Sequence, residues 1–371
     1  MGKGKIKHLY PGGNTSAGFY SYYSNIIDLT RATRVFILKG GPGVGKSTFM
    51  RKIGDEMIER GYDIEHHHCS SDNGSLDGVV IPALGIALID GTSPHIVDPC
   101  YPGAVDEIIN LGEYWDEAKL RCGREQILAD SDLLGQLFPA AYCQLAEAKI
   151  ARDDGESCVA GCMDFSSANK ITLDLAGEII EGLRGSGKTP LARHLFCSAI
   201  TPDGVKHFIE SLLDGIEKLY LIKGFPGSGR SYLVETVARE AQLHGLNTEV
   251  YHCAFEPKKA DLVVIPEAKS AVLKDAGEFG FKPEIVKGLD TKAVDLNNCL
   301  NQTRLEGGKD RFLSAEQRFT ASLNRAVSYI SEAKRVHDHM ESFYVPAMDF
   351  EAIEKKRNDI LQCILGYAQK K

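Results

Sequence analysis

Residues 35–47 read VFILKGGPGVGKS, and residues 219–231 read LYLIKGFPGSGRS. In both stretches a run of β-favouring apolar residues enters a turn of closely spaced glycines. Helix-forming sequence follows, and then a second segment rich in β-branched and aromatic residues. A buried strand, a glycine turn and a helix leading back to another strand make a βαβ unit, and this chain carries two.

Working outward, the likeness continues. Gly61, Glu65 and His68-Cys69 are matched by Gly245, Glu249 and His252-Cys253, and Asp77 with residues 79–82 (VVIP) by Asp261 with residues 263–266 (VVIP). Upstream, His8-Leu9-Tyr10 matches His194-Leu195-Phe196. Downstream, Glu147-Ala148-Lys149 and Met163-Asp164-Phe165 match Glu332-Ala333-Lys334 and Met348-Asp349-Phe350. The copies meet in the Gly-rich run from Gly182 to Pro190, which reads as a linker and divides the chain into domains 1–186 and 187–371. At 371 residues, two domains of ordinary size are expected.

In copy one the pattern predicts a strand over 34–39, a helix over about 46–60 ended by Gly61, a strand over 63–69 and a third over 86–89 that ends at Asp90. Residues 104–183 and 284–369 read as charged, amphipathic helices. The expected class is α/β: two tandem P-loop NTPase domains, each a mostly parallel sheet flanked by helices, with a helical appendage.

The turn Gly40, Gly41, Pro42, Gly43, Val44, Gly45, Lys46, Ser47 satisfies G-x-x-x-x-G-K-[ST] between a strand and a helix, and Thr48 follows it. Glycines let backbone N–H groups wrap phosphate oxygens, and the helix N-terminus adds a partial positive charge. The motif assigns Lys46 to the β and γ phosphates and Ser47 to Mg²⁺. Asp90, at the end of a short apolar run, resembles a Walker B carboxylate and is the second Mg²⁺ ligand expected; with Lys46 it makes up the catalytic pair.

Copy two keeps the turn in Gly224, Gly227, Ser228, Gly229 and Ser231, but Arg230 stands where the lysine belongs. A planar guanidinium does not replace a compact ammonium freely. The position matching Asp90 is Lys274. Copy two is therefore expected to be a degenerate or regulatory nucleotide site, with Arg230 as an arginine finger for copy one as the sharper alternative. A third match, Gly182 to Thr189, has no strand before it and Pro190 directly after it, and reads as linker.

Asp72, Asp77, His95 and Asp98 are candidates for a base or an acceptor contact near strand ends. The run His66-His67-His68-Cys69 invites a zinc reading, but neighbours on a strand face opposite ways, so all four cannot converge on one ion. A packing or phosphate-proximal role is expected for them.

The net charge of -8 argues against a nucleic-acid partner, because neutralising phosphates needs clustered Lys and Arg. Lys3, Lys5 and Lys7 are followed by no apolar run, so the start does not read as a secretory signal. The stretch 79–89 is too short to span a bilayer and is broken by Pro82 and Gly85. Ten scattered cysteines without a C-x-x-C pair fit reduced thiols in a cytoplasmic protein.

On the loop Gly40–Thr48, Cys69-Ser-Ser-Asp72, residues 75–82 (SLDGVVIP), residues 87–95 (ALIDGTSPH) and Val97-Asp-Pro99, the whole chain resembles an uncharacterised bacterial family of tandem-duplicated P-loop NTPases, described as ATPases or nucleotide-kinase-like. The resemblance implies ATP binding. The function expected is a Mg-ATP-binding ATPase in which copy one binds and hydrolyses ATP. Two other readings stand beside it: a kinase passing the γ-phosphoryl to a small molecule, and a nonenzymatic nucleotide-binding scaffold. The partner beyond nucleotide, small molecule or protein, is left open.

Overall fold

The computed structural model describes residues 2–185, 187–275, 277 and 288–370. The first half of the chain contains β1 (Ile6–Leu9), β2 (Gly12–Thr15), β3 (Gly18–Ser21), β4 (Arg34–Lys39), α1 (Lys46–Glu59), β5 (Ile64–His68), β6 (Leu76–Ile81), β7 (Ile86–Asp90), β8 (Asp106–Asn110), α2 (Glu117–Cys122), α3 (Arg124–Ala160) and α4 (Phe165–Ile180). The second half repeats the order with β9 (Ala192–Phe196), β10 (Ser198–Thr201), β11 (Gly204–His207), α5 (Ile209–Leu212), β12 (Lys218–Lys223), α6 (Arg230–Leu243), β13 (Thr248–His252), β14 (Ala260–Ile265), β15 (Ser270–Lys274), β16 (Asp290–Asp295), α7 (Gln302–Gly307), α8 (Lys309–Tyr344) and α9 (Phe350–Ala368).

Each half supplies one six-stranded sheet, in the order β1-β5-β6-β7-β4-β8 for the first and β9-β13-β14-β15-β12-β16 for the second. The two orders are the same under the repeat. Both sheets are mixed: β6 pairs antiparallel with β5 and β7, and β14 with β13 and β15, while the other pairings are parallel. The strands β6 and β14 were not expected. Their sequence, VVI before a proline in each copy, continues into the next strand without the change of period that would separate them. The turn is made by a short 3-10 segment starting at Pro82 or Pro266 and ended by a left-handed residue, Gly85 or Lys269.

The helical reading of residues 104–183 is also corrected at its start, where β8 pairs in parallel with β4. In copy two, β16 takes the same place beside β12; the predicted helical stretch over 284–287 lies outside the described residues. An Asp-Glu-Ile-Ile-Asn strand at a sheet edge is too short and too charged for a period to identify it. The segment from Gly182 to Pro190 connects α4 to β9.

Two compact units emerge, and they cut across the two sequence halves. Unit 1 consists of 1–13, 21–140 and 328–371, and unit 2 of 14–20 and 141–327. The helices read as appendages of each copy are therefore exchanged. In unit 1 the core formed by Phe36, Leu38, Phe49, Met50, Ile53 and Leu88 is completed by Ile353, Ile360, Leu361 and Ile364 of α9. In unit 2 the corresponding core around Tyr220, Ile222, Val234, Val237 and Val272 is completed by Ala168, Leu175, Ala176 and Ile179 of α4.

The repeated Met-Asp-Phe sequences mark where these helices begin. Asp164 accepts hydrogen bonds from the backbone N–H of Ser166 and Ser167, and Asp349 from that of Ala352, so each aspartate is an N-cap. The capping residue is tied to its sheet's neighbourhood: Asp164 N–H donates to Cys299 O at 2.8 Å, and Asp349 N–H to Tyr114 O at 2.8 Å.

This exchange has a direct consequence for a chain cut at the linker. With a protease site introduced between Gly182 and Pro190, the two halves are expected to remain associated on size-exclusion chromatography after cleavage. Separation into two folded, monomeric halves would show that each half completes its own core.

Candidate functional site

In unit 1 the buried strand β4 delivers the chain to the loop at Gly40, and α1 starts at Lys46. The loop depends on backbone angles that favour glycine: Gly43 has φ 65° and Gly45 φ 89°. A Cβ at Gly40 would come within 2.7 Å of the Val44 Cγ2, and Val44 is itself fully buried beneath the loop. Thr48 is exposed on α1.

Lys46 folds back over the loop. Its Nζ donates to the carbonyls of Gly40 at 3.1 Å and Gly41 at 2.9 Å, and lies 3.6 Å from Asp90 Oδ2. Asp90 reaches this position because β7 is the parallel neighbour of β4, with Asp90 in register with Leu38. Its other oxygen, Oδ1, accepts from Thr92 N at 2.9 Å and Thr92 Oγ1 at 2.6 Å. Ser47 Oγ accepts from Leu76 N at 2.9 Å. The structure therefore brings Lys46 and Asp90 together, while Ser47 bonds to the start of β6.

The loop is also faced by α8, which sequence reasoning missed. Glu341 Oε1 accepts from Gly43 N at 3.1 Å, and a Cβ at Gly41 would come within 2.8 Å of the Tyr344 ring. A carboxylate thus takes one of the backbone N–H groups of the loop. In the sequence, Glu341 is marked only by its match to Glu156 under the repeat.

The other candidates separate. Asp77 is buried, receives the Tyr23 O–H, and lies 3.6 Å from His95 Nε2. Burial pushes the Asp77 carboxyl up, against the opposing pull of His95. Asp72 shapes a turn, accepting from Gly74 N and Ser75 Oγ. Asp98 forms a surface ion pair with Lys39 at 2.9 Å. Only Asp77 and His95 of this set come together.

Unit 2 repeats the backbone of the loop and rewrites its charges. Gly227 and Gly229 have φ 89° and 94°, closely matching Gly43 and Gly45. A Cβ at Gly227 would run into the Glu156 carbonyl of α3. Ser228 is fully buried, and Ser231 opens α6 beside Arg230. Arg230 is 6% exposed and donates to the Asp275 carbonyl. Lys274, 6% exposed, occupies the Asp90 position and pairs with Asp261, the counterpart of Asp77. A cavity of about 250 Å³ adjoins this loop, lined by Arg152, Arg230, Lys259 and Lys274 among others.

The histidine run resolves as alternation requires. His67 faces Glu65, with its Nε2 3.2 Å from Glu65 Oε2, while His66 and His68 share the other face with His8 of β1. In unit 2, His194 Nδ1 and His252 Nε2 are 2.9 Å apart, matching His8 Nδ1 and His68 Nε2 at 2.9 Å. Burial pushes His252 down to about 4 from the ordinary 6.5, helped by the neighbouring His194.

Comparison with family models, with curated proteins and with solved structures finds no match to this chain. Among the described residues no helix is long and apolar enough to cross a membrane. The fold is thus α/β with two six-stranded mixed sheets, and its site is a glycine loop between a strand and a helix.

A histidine buried in the neutral form binds protons less readily than in the unfolded chain. Its contribution to stability is present above about pH 6.5 and is lost as pH falls toward 4, by at most about 1.4 kcal/mol per pH unit. Chemical denaturation between pH 7 and 4 is expected to show a shallower loss of stability in His252→Gln than in the wild type. Parallel curves would remove His252 from the acid response.

Proposed function

We propose that unit 1 binds a Mg²⁺-nucleoside triphosphate at the loop Gly40–Ser47 and hydrolyses it, and that unit 2 is a copy without a competent magnesium site. The observation that carries this reading is the meeting of Lys46 and Asp90, 3.6 Å apart, at the mouth of a loop with the left-handed glycines Gly43 and Gly45, the backbone shape that lets N–H groups wrap an anion.

The residues suit the group. Ser47 offers a hydroxyl and Asp90 a carboxylate, hard oxygen donors of the kind Mg²⁺ takes. Bound there, Mg²⁺ would neutralise charge developing on the phosphates. Lys46, already turned toward the loop, would neutralise phosphate charge in place of the loop carbonyls it now contacts. In unit 2 the donor set does not suit a cation, because Lys274 puts an ammonium where a ligand is needed. ATP is the nucleotide that the family resemblance implies.

Calorimetric titration of Mg-ATP is expected to give one site per chain. Lys46→Ala should weaken it at least tenfold, and Asp90→Asn should remove the dependence of affinity on Mg²⁺. Two sites, one of them surviving Lys46→Ala, would make unit 2 a working site; no binding would end the reading altogether.

Glu341 gives this site an internal competitor. Any phosphate that takes the Gly43 N–H must displace the Glu341 carboxylate, an anion repelled by the incoming one. Glu341→Gln should therefore tighten Mg-ATP binding about three- to tenfold, in keeping with loss of a single partly exposed charge of about 1 kcal/mol. Unchanged or weaker binding would show that the carboxylate does not compete.

A further inference from the structure

In the parallel register of β1 and β5, His8 stands opposite His66, and His68 shares that face two residues on. One ring nitrogen from each of the three histidines lies within 4.8 Å of those from the other two. His8 Nδ1 and His68 Nε2 are 2.9 Å apart. His66 is 3% exposed, and its buried Nε2 has no hydrogen-bond partner among the described residues.

The duplication supplies an internal comparison. Unit 2 keeps the pair, His194 with His252, at the same 2.9 Å separation, but Val250 stands where unit 1 has His66. The pair therefore belongs to the shared fold, and a valine is enough to fill the third position. An imidazole there, with a buried nitrogen lacking a partner, carries a desolvation cost that the valine does not. A group that bonds to the ring nitrogens would recover that cost.

We propose that His8, His66 and His68 form a binding site for a divalent transition-metal ion of the zinc type, with a fourth coordination position left for water or another donor. Three imidazoles suit Zn²⁺, Co²⁺, Ni²⁺ or Cu²⁺, whereas Mg²⁺ and Ca²⁺ take oxygen ligands. Zn–N bonds of about 2.0–2.1 Å in a tetrahedral site place ligand nitrogens about 3.4 Å apart, a separation that small ring rotations reach from the present one. The neighbouring cation is Arg51, which donates to the Gly74 carbonyl at 2.7 Å. With positive charge nearby, affinity has to come from metal–nitrogen bonding rather than from net charge. The site uses none of the residues assigned to the nucleotide, so it stands or falls separately from that reading.

Co²⁺, alone and without nucleotide, is the probe for the full-length protein. The wild type is expected to take up one Co²⁺ per chain with the visible absorption of a nitrogen-ligated tetrahedral ion, and Zn²⁺ should displace it. His66→Val, which installs the residue unit 2 uses, should weaken uptake at least tenfold. Zn²⁺ should raise the melting temperature of the wild type and leave that of His66→Val unchanged. If His66→Val does not fold, His8→Ala on the edge strand reads the same loss. No visible band in the wild type, equal affinity in the variant, or a near-ultraviolet thiolate-to-cobalt band marking capture by cysteine would each overturn the site.

Discussion

The burial of one apolar helix face, supplied by the opposite half of the sequence, is the constraint on which each unit depends. Ile353, Ile360, Leu361 and Ile364 of α9 are all buried in the core of unit 1. Burying an aliphatic side chain contributes about 1.5–3 kcal/mol. Four of them together are comparable with the whole stability of an ordinary domain, about 5–15 kcal/mol. The core of unit 1 is thus completed only by α9, from the second half of the chain. In unit 2, α4 makes the same kind of contribution with smaller side chains, Ala168 and Ala176 among them.

The same exchange brings acidic residues to the glycine loops. Glu341 and Glu156 are equivalent under the repeat, and each lies against the loop of its unit. Their roles have diverged. Both bring their backbone against the loop glycine, but Glu341 turns its carboxylate to the Gly43 N–H, whereas Glu156 turns its carboxylate to Lys259 at 2.8 Å. The loops themselves keep one backbone conformation. What changed between the copies is the charge beneath them: Lys46 facing Asp90 in one, Arg230 with Lys274 and Asp261 in the other. A conformation set by glycine survives such changes, because it needs only positions without a Cβ.

Much of the site was readable without coordinates, because it is local. The loop lies within eight consecutive residues, and Asp90 ends a short apolar run on the next parallel strand but for one hairpin. The unforeseen strands β6 and β14 show where local reading stops, since an apolar stretch interrupted by Pro82 and Gly85 can be one element or two. Alternation along β5 correctly separated His67 from its neighbours. It also implied that His66 and His68 share a face, but the third histidine, His8, comes from a strand far away in sequence.

Residue identities alone reveal the duplication, the α/β alternation, the two glycine loops and the loss of the lysine and aspartate positions in copy two. These follow from residue identity at short range: glycine where φ is positive, β-branched runs where a strand is buried, aspartate where a helix needs an N-cap. Long-range packing sets the exchange of the helical segments, brings Glu341 to the first loop and joins His8 to His66 and His68. An amphipathic helix specifies that its apolar face must be covered but not by which of two similar sheets, and strand register across sixty residues is set by packing rather than by pattern.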